Sequence, residues 1–158
     1  MNITKKKAFN SVKGESAFHI IRIRNLIIVL FAFLIFQFWL GMTINLEINM
    51  PIKHLGALES LIYYGGHFGF ILVHIVNGFC ILVVSLILFS ESIKSSYTSL
   101  KIGSSVTLAA VVGAIVNGIL FLESGQFFGW SVGMAMSAVS VLIAAAISLY
   151  FVGRNLPH

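Results

Sequence analysis

The 158-residue sequence contains no aspartate, only five glutamates, one cysteine and two prolines. So few acidic side chains leave little material for acid–base catalysis, and a single cysteine excludes a disulfide scaffold. Charged residues make up 9% of the chain, whereas soluble globular domains carry roughly 25%. This shortage excludes an ordinary water-soluble fold, and the hydrophobic content of 58% excludes a disordered chain.

The sequence instead contains long apolar segments, and the mean hydropathy of the whole chain is +1.00. Four segments, at about residues 26–44, 64–89, 102–122 and 127–152, contain no Asp, Glu, Lys or Arg. A helix of about 20 apolar residues crosses the roughly 30 Å core of a bilayer, and unbroken apolar runs are typical of helices rather than of barrel strands. The sequence therefore predicts an all-α fold, a polytopic membrane four-helix bundle over residues 25–153.

The basic residues predict how the chain is threaded. When both termini are placed on one side of the membrane, nine of the ten lysines and arginines fall on that side, and only Lys53 falls on the other. Cytoplasmic segments carry the excess of Lys and Arg, so we expect a multi-pass protein of the cell membrane with cytoplasmic N- and C-termini. Because the basic residues flank the helix ends, we expect them to face anionic headgroups of the lipid bilayer, and we expect no nucleic-acid partner.

Three segments lie outside the predicted spans. Residues 1–24 form a basic cytoplasmic segment, of which residues 8–24 mix basic and apolar side chains in the way that favours an interfacial helix. Residues 154–158 form a short cytoplasmic tail. In the first outer loop, Pro51 suits the first position of a short amphipathic helix lying on the outer surface. The apolar face of that helix would carry Ile52, Leu55, Leu58 and Ile62.

Small and polar residues recur along one face in each of the last three predicted spans. Membrane helices associate through close packing of small side chains and through polar contacts, so these faces predict a tight core formed by spans two to four. The first span has no such face, and we expect it at the periphery of the bundle. The three faces comprise His67, His74, Gly78 and Ser85; Gly103, Thr107, Ala110, Ala114 and Asn117 or Gly118; and Gly133, Ser137, Ser140, Ala144 and Ser148.

Two histidines fall within the predicted second span, and ionisable groups inside a membrane are functional candidates by default. His67 and His74 are seven residues apart, which places them on one side of a helix with about 10 Å between them. The plainest interpretation is structural, with His74 hydrogen-bonded to Asn117 or to a backbone carbonyl, and His67 in contact with Glu123. A polar cluster in the outer half of the membrane is expected from Gln37, Asn117, Glu123 and Ser131.

A second interpretation is a haem b site, because neutral imidazole is a common axial ligand and a four-helix core suits buried haem. His74, or His67, would supply one ligand. Two histidines on one face of one helix cannot hold opposite sides of a single iron, so the other ligand would come from Met134 or Met136, or from a second subunit. A third interpretation is a small apolar molecule such as a quinone, bound near His74 and Asn117. No spacing in the sequence points to another metal site.

Several short motifs lie between His74 and Tyr150: His74 with Gly78, Asn117–Gly118 followed by Phe121–Leu122 and Gly125, and Ser131 with Met134–Ala135. In these motifs the chain resembles a group of small four-span prokaryotic membrane proteins of unassigned function. His67 and His74 also give a likeness to the four-helix haem-binding units of b-type cytochromes and haem A synthases. That likeness implies haem b as a cofactor.

An enzyme is not favoured, because the sequence shows no Ser–His–acid arrangement for nucleophilic catalysis. We expect a non-catalytic accessory or assembly subunit that packs through its small-residue helix faces, either as a homo-oligomer or within a larger membrane complex. The alternatives are a haem-binding electron-transfer subunit and a carrier of a small apolar molecule such as a quinone.

Overall fold

The computed structural model describes residues 3–47, 56–67, 69–124 and 127–155, and every regular element in these ranges is a helix. Phe18–Asn45 of the first helix, Gly69–Lys94, Thr98–Glu123 and Phe128–Arg154 are long and apolar enough to cross a bilayer. The predicted all-α membrane four-helix bundle is therefore confirmed, and the chain is a multi-pass integral membrane protein. The helices are α1 (Ile3–Glu47), α2 (Ala57–His67), α3 (Gly69–Lys94), α4 (Thr98–Glu123) and α5 (Phe128–Asn155).

Helices α4 and α5 have the most extensive contact of any helix pair in the bundle. Small residues make this approach possible, as the sequence predicted. A methyl group added at Gly103 would overlap the Ser148 hydroxyl, and one added at Gly133 would overlap the Asn117 amide. The small-residue faces of these two spans are thus used against each other within the chain.

The expectation that the first span lies at the periphery is wrong. Ile23, Ile27 and Leu30 of α1 are completely buried, and α1 packs against both α3 and α5. Ile20, Ile23, Ile27, Leu30 and Leu34 follow each other at intervals of three and four residues, which forms one continuous apolar face. Large aliphatic side chains at this spacing interlock with a neighbouring helix as well as small ones do, so the absence of small residues did not imply the absence of neighbours.

The basic segment and the first span form one helix of 45 residues, Ile3–Glu47. No proline interrupts the sequence between these residues, so the α-helical hydrogen bonds continue from the basic segment into the apolar one. The helix predicted over residues 8–24 is therefore the N-terminal part of the same helix that forms the first span. Side chains before Phe18 lie outside the described part of the structure.

Helix α3 starts at Gly69 and ends at Lys94, five residues later at each end than the span predicted at 64–89. Tyr64 and His67 instead belong to α2, which ends at His67. Apolar character continues across residues 61–73, so hydropathy alone does not show where one helix stops and the next begins. Tyr64 is buried in a cluster with Ile44, Ile71, Phe121 and Leu122, and this contact holds α2 against the bundle.

The amphipathic helix expected in the first outer loop is α2, which starts at Ala57 rather than at Pro51. Leu58 and Ile62 each have 69% of their surface exposed, on the side away from Tyr64. Pro51, Ile52 and Leu55 lie outside the described residues, as do Gly125 and the last three residues of the tail.

Candidate functional site

A polar network joins α1 to α3 inside the apolar bundle. Gln37 lies in α1, and His74 and Asn77 lie one turn apart on the face of α3 that contacts α1. The Asn77 amide nitrogen is 2.7 Å from Gln37 Oε1 and 3.0 Å from the Phe33 carbonyl oxygen. Gln37 Nε2 is in turn 3.1 Å from His74 Nε2. We call Gln37, His74 and Asn77 the amide network.

The direction of each hydrogen bond in the amide network follows from the Phe33 carbonyl oxygen, which can only accept. Asn77 Nδ2 donates to this oxygen and to Gln37 Oε1. The Gln37 amide nitrogen must then donate to His74 Nε2, so this ring nitrogen is an acceptor. The neutral imidazole therefore carries its proton on Nδ1, a buried atom that has no hydrogen-bond partner among the described residues.

Two glycines face the amide network across the contact between α1 and α3. A methyl group added at Gly41 would lie 3.4 Å from His74 Cε1, and one added at Gly78 would lie 3.5 Å from Gln37 Nε2. Both separations are ordinary van der Waals contact, so an alanine fits at either position. Larger residues at these two positions would crowd the network.

The other polar residues predicted for the outer half lie at other helix contacts. Asn117 donates from Nδ2 to the Gly113 carbonyl oxygen at 2.7 Å, within α4, and packs against Gly133 of α5. Ser131 accepts from the Asn45 amide at 3.2 Å, which joins α5 to α1. The expected hydrogen bond between His74 and Asn117 is replaced by the bond from Gln37, and Glu123 has no contact with His67 among the described interactions.

The residues proposed to hold haem lie on three different elements. His67 lies in α2, where its Nδ1 is 2.8 Å from the Tyr63 carbonyl oxygen and its ring stacks on the Tyr63 ring. The expectation that His67 shares a helix face with His74 is wrong, because α2 ends between them. Met134 packs over Gly118 at the α4–α5 contact, and Met136 has 63% of its surface exposed. This arrangement lends the haem hypothesis no support.

A second polar cluster, absent from the sequence analysis, surrounds Glu91 near the end of α3. Glu91 is 7% exposed. Its carboxylate lies 3.3 Å from His19 Nδ1, 3.6 Å from Arg22 Nη1 and 3.4 Å from Lys94 Nζ. We call these four residues the Glu91 cluster. His19 and Arg22 occupy one face of α1 at a spacing of three, but their partner becomes apparent only when α1 and α3 are known to be neighbours.

His19 contacts Glu91 through both of its ring nitrogens. Nδ1 faces the carboxylate, and Nε2 is 3.1 Å from the backbone carbonyl oxygen of the same residue. Both partners are acceptors, so each ring nitrogen of His19 faces an oxygen atom of Glu91. His19 thereby fixes the position of Glu91 against α1 through the side chain and the main chain together.

Within the described ranges, no three His, Cys, Asp or Glu side chains converge as metal ligands would. Comparisons with protein-family models, curated proteins and solved structures found no match to this chain.

Proposed function

We propose that this protein is a non-catalytic accessory subunit of a membrane complex. The observation that carries the proposal is the amide network, in which the intramembrane histidine is hydrogen-bonded to a glutamine that links α1 to α3. Asn77 of α3 also donates to the backbone carbonyl oxygen of Phe33 in α1, so the hydrogen bonds of the network hold these two helices together. Polar side chains buried between membrane helices are a general means of helix association.

The packing of α4 on α5 supports the same function. Small residues at this contact fit each other so closely that a single added methyl group at Gly103 or Gly133 would overlap the facing helix. A bundle tied together by close packing and by internal hydrogen bonds is a rigid scaffold. Its role in a complex would be to present its outer faces and its short polar ends to other subunits.

The test compares His74→Ala with His67→Ala after production of the full chain with ample haem. We expect colourless protein in every case, a lower unfolding temperature for His74→Ala alone, and co-purification of each variant with the same membrane partners as the wild type, or with a second copy. Crosslinking in native membranes followed by mass determination measures the association. Reduced-minus-oxidised visible spectra measure haem.

Three outcomes would overturn the proposal. A Soret band in the wild type that is lost in His74→Ala would favour the haem-binding electron-transfer subunit instead. Quinone binding that is lost in both His74→Ala and Asn117→Ala would favour the carrier. A wild-type chain that crosslinks to nothing in its own membrane would leave no complex to which it could be an accessory.

We propose further that both termini lie in the cytoplasm. The support is the crowding of basic side chains at one end of the bundle, where Arg22, Lys94 and Lys101 lie. Positive charge near helix ends is retained on the cytoplasmic side during insertion. A reporter active only in the cytoplasm, fused after residue 158, is expected to be active, and the same reporter inserted near residue 56 is expected to be silent. The reverse pattern would invert the topology.

A further inference from the structure

A shallow groove runs along the outer surface of α1 beside the Glu91 cluster. It is lined by Phe18, Ile21, Arg22, Asn25, Leu26 and Val29. These positions recur at intervals of three and four residues, so they form one face of the helix. Phe18 and Val29 are eleven positions apart, which corresponds to about 16 Å along the helix axis. The part from Arg22 to Val29 accounts for about 10 Å of this length.

Arg22 places positive charge near one end of this groove. Its guanidinium is 3.6 Å from the Glu91 carboxylate, which is too far for a hydrogen bond, and Lys94 shares the same carboxylate oxygen. Two cations thus face one anion, and positive charge remains uncompensated. The Arg22 and Lys94 side chains are 56% and 63% exposed, so an anion from outside the chain can reach both.

Asn25 adds a neutral donor one turn deeper along the same groove. Its Oδ1 accepts from Arg24 at 3.4 Å and 3.3 Å, and its side chain is exposed. These bonds leave the Asn25 Nδ2 group, which has no hydrogen-bond partner among the described residues, free to donate to a ligand. The groove therefore presents, in order along the helix, a cation, an amide donor about 4.5 Å further on, and an apolar floor.

We propose that the groove binds one anionic phospholipid. The phosphate accepts hydrogen bonds from the Arg22 guanidinium, whose planar fork matches two phosphate oxygens. An ester carbonyl, which lies deeper in a lipid than its phosphate, accepts from Asn25. One acyl chain lies along Leu26 and Val29. The uncompensated charge selects an anionic headgroup over a zwitterionic one, and the apolar side chains of Leu26 and Val29 next to the polar groups favour a lipid over a free anion.

The experiment measures lipid retained by the full chain in native mass spectrometry, with phosphatidylglycerol or phosphatidylcholine of identical acyl chains added to the detergent. We expect one bound phosphatidylglycerol, retained about fivefold better than phosphatidylcholine, from the attraction of one basic residue to an anionic surface. Arg22→Gln should lower phosphatidylglycerol binding to the level of phosphatidylcholine. Arg154→Gln, the same charge change at the exposed end of α5, should leave binding unchanged.

Val29→Trp tests the acyl chain without changing the charge, and it also serves if Arg22→Gln fails to fold. A tryptophan here fills the groove, so we expect weaker retention of both lipids at an unchanged unfolding temperature. Equal retention of the two lipids by the wild type would overturn the proposal. So would an equal loss in Arg22→Gln and Arg154→Gln, full retention in Val29→Trp, or complete displacement of the lipid by inorganic phosphate.

Discussion

The contact between α1 and α3 is polar at two places that differ in kind. Near the start of α3, the amide network is made of neutral groups that hydrogen-bond to each other and to a backbone carbonyl oxygen. Seventeen residues further on, about 25 Å along the helix, the Glu91 cluster is ionic and its cations are more than half exposed.

The difference follows from the surroundings of each cluster. A charge within the bilayer core is costly, so the polar contacts there are made by neutral groups. Near the headgroups, water screens the cations and provides partners for their remaining donors. The same pair of helices is therefore held by short hydrogen bonds in one place and by longer ionic contacts in the other.

Asn77→Leu tests the amide network, and we expect it to cause the largest loss of stability among the variants considered. The substitution leaves Gln37 Oε1 without its donor in a buried position. An unpaired buried polar group costs about 1–3 kcal/mol, with membrane values toward the lower end. Unfolding in detergent micelles measures the change. A loss no greater than that of His67→Ala, whose ring lies outside the bundle, would show that the amide network does not stabilise the fold.

Replacing Gln37 and Asn77 together measures how strongly the two amides depend on each other. We expect the double variant Gln37→Leu and Asn77→Leu to lose less stability than the sum of the two single variants, because no amide is then left facing an absent partner. A coupling of about 0.5–1 kcal/mol in a double-mutant cycle is expected. Simple additivity would mean that the two amides act independently.

Glu91→Gln, in the ionic Glu91 cluster, should lower the stability less than Asn77→Leu does. Exposed ion pairs contribute about 0.2–1 kcal/mol, and here the two cations can turn to water once the carboxylate is gone. The effect should shrink as salt rises from low to physiological concentration, whereas the effect of Asn77→Leu should not change. Equal salt dependence of the two variants would erase the distinction between the clusters.

His67→Ala is expected to have the smallest effect, below about 0.5 kcal/mol, because exposed side chains away from buried networks contribute little to stability. Its imidazole contacts only Tyr63 of its own helix among the described interactions. Unfolding of this variant beside His74→Ala measures how differently the two histidines act. A large effect of His67→Ala would mean that α2 is held to the bundle through this ring.

The sequence predicted the spans and the close α4–α5 packing well, because apolar length and small-residue spacing are properties of single helices. It did not predict which residues would meet. Asn77 lies three residues after His74, so the sequence places both on one helix face. The pairing of Asn77 with Gln37, however, depends on α1 packing beside α3. The contact of Glu91 with His19 depends in the same way on α1 and α3 being neighbours.

His67 and His74 show a second limit of prediction from the sequence, which concerns where helices end. A spacing of seven residues gives a shared face only if one helix contains both, and the end of α2 at His67 breaks that condition. The glycines at positions 65, 66 and 69 signal a weak point for a helix, since glycine lowers helix stability by about 1 kcal/mol per residue. They do not show at which residue the helix ends.

Because α1 is one continuous helix, its N-terminal end and its membrane span move together. Its 45 residues correspond to about 67 Å along the helix axis, and Ile3 lies about 34 Å from Leu26, where the predicted first span begins. A rotation of α1 by about 10° around that point would move its N-terminal end by about 6 Å while the helix stays straight. A protein that binds the N-terminal end of α1 would respond to the tilt of this helix, or change it, without contacting the rest of the bundle.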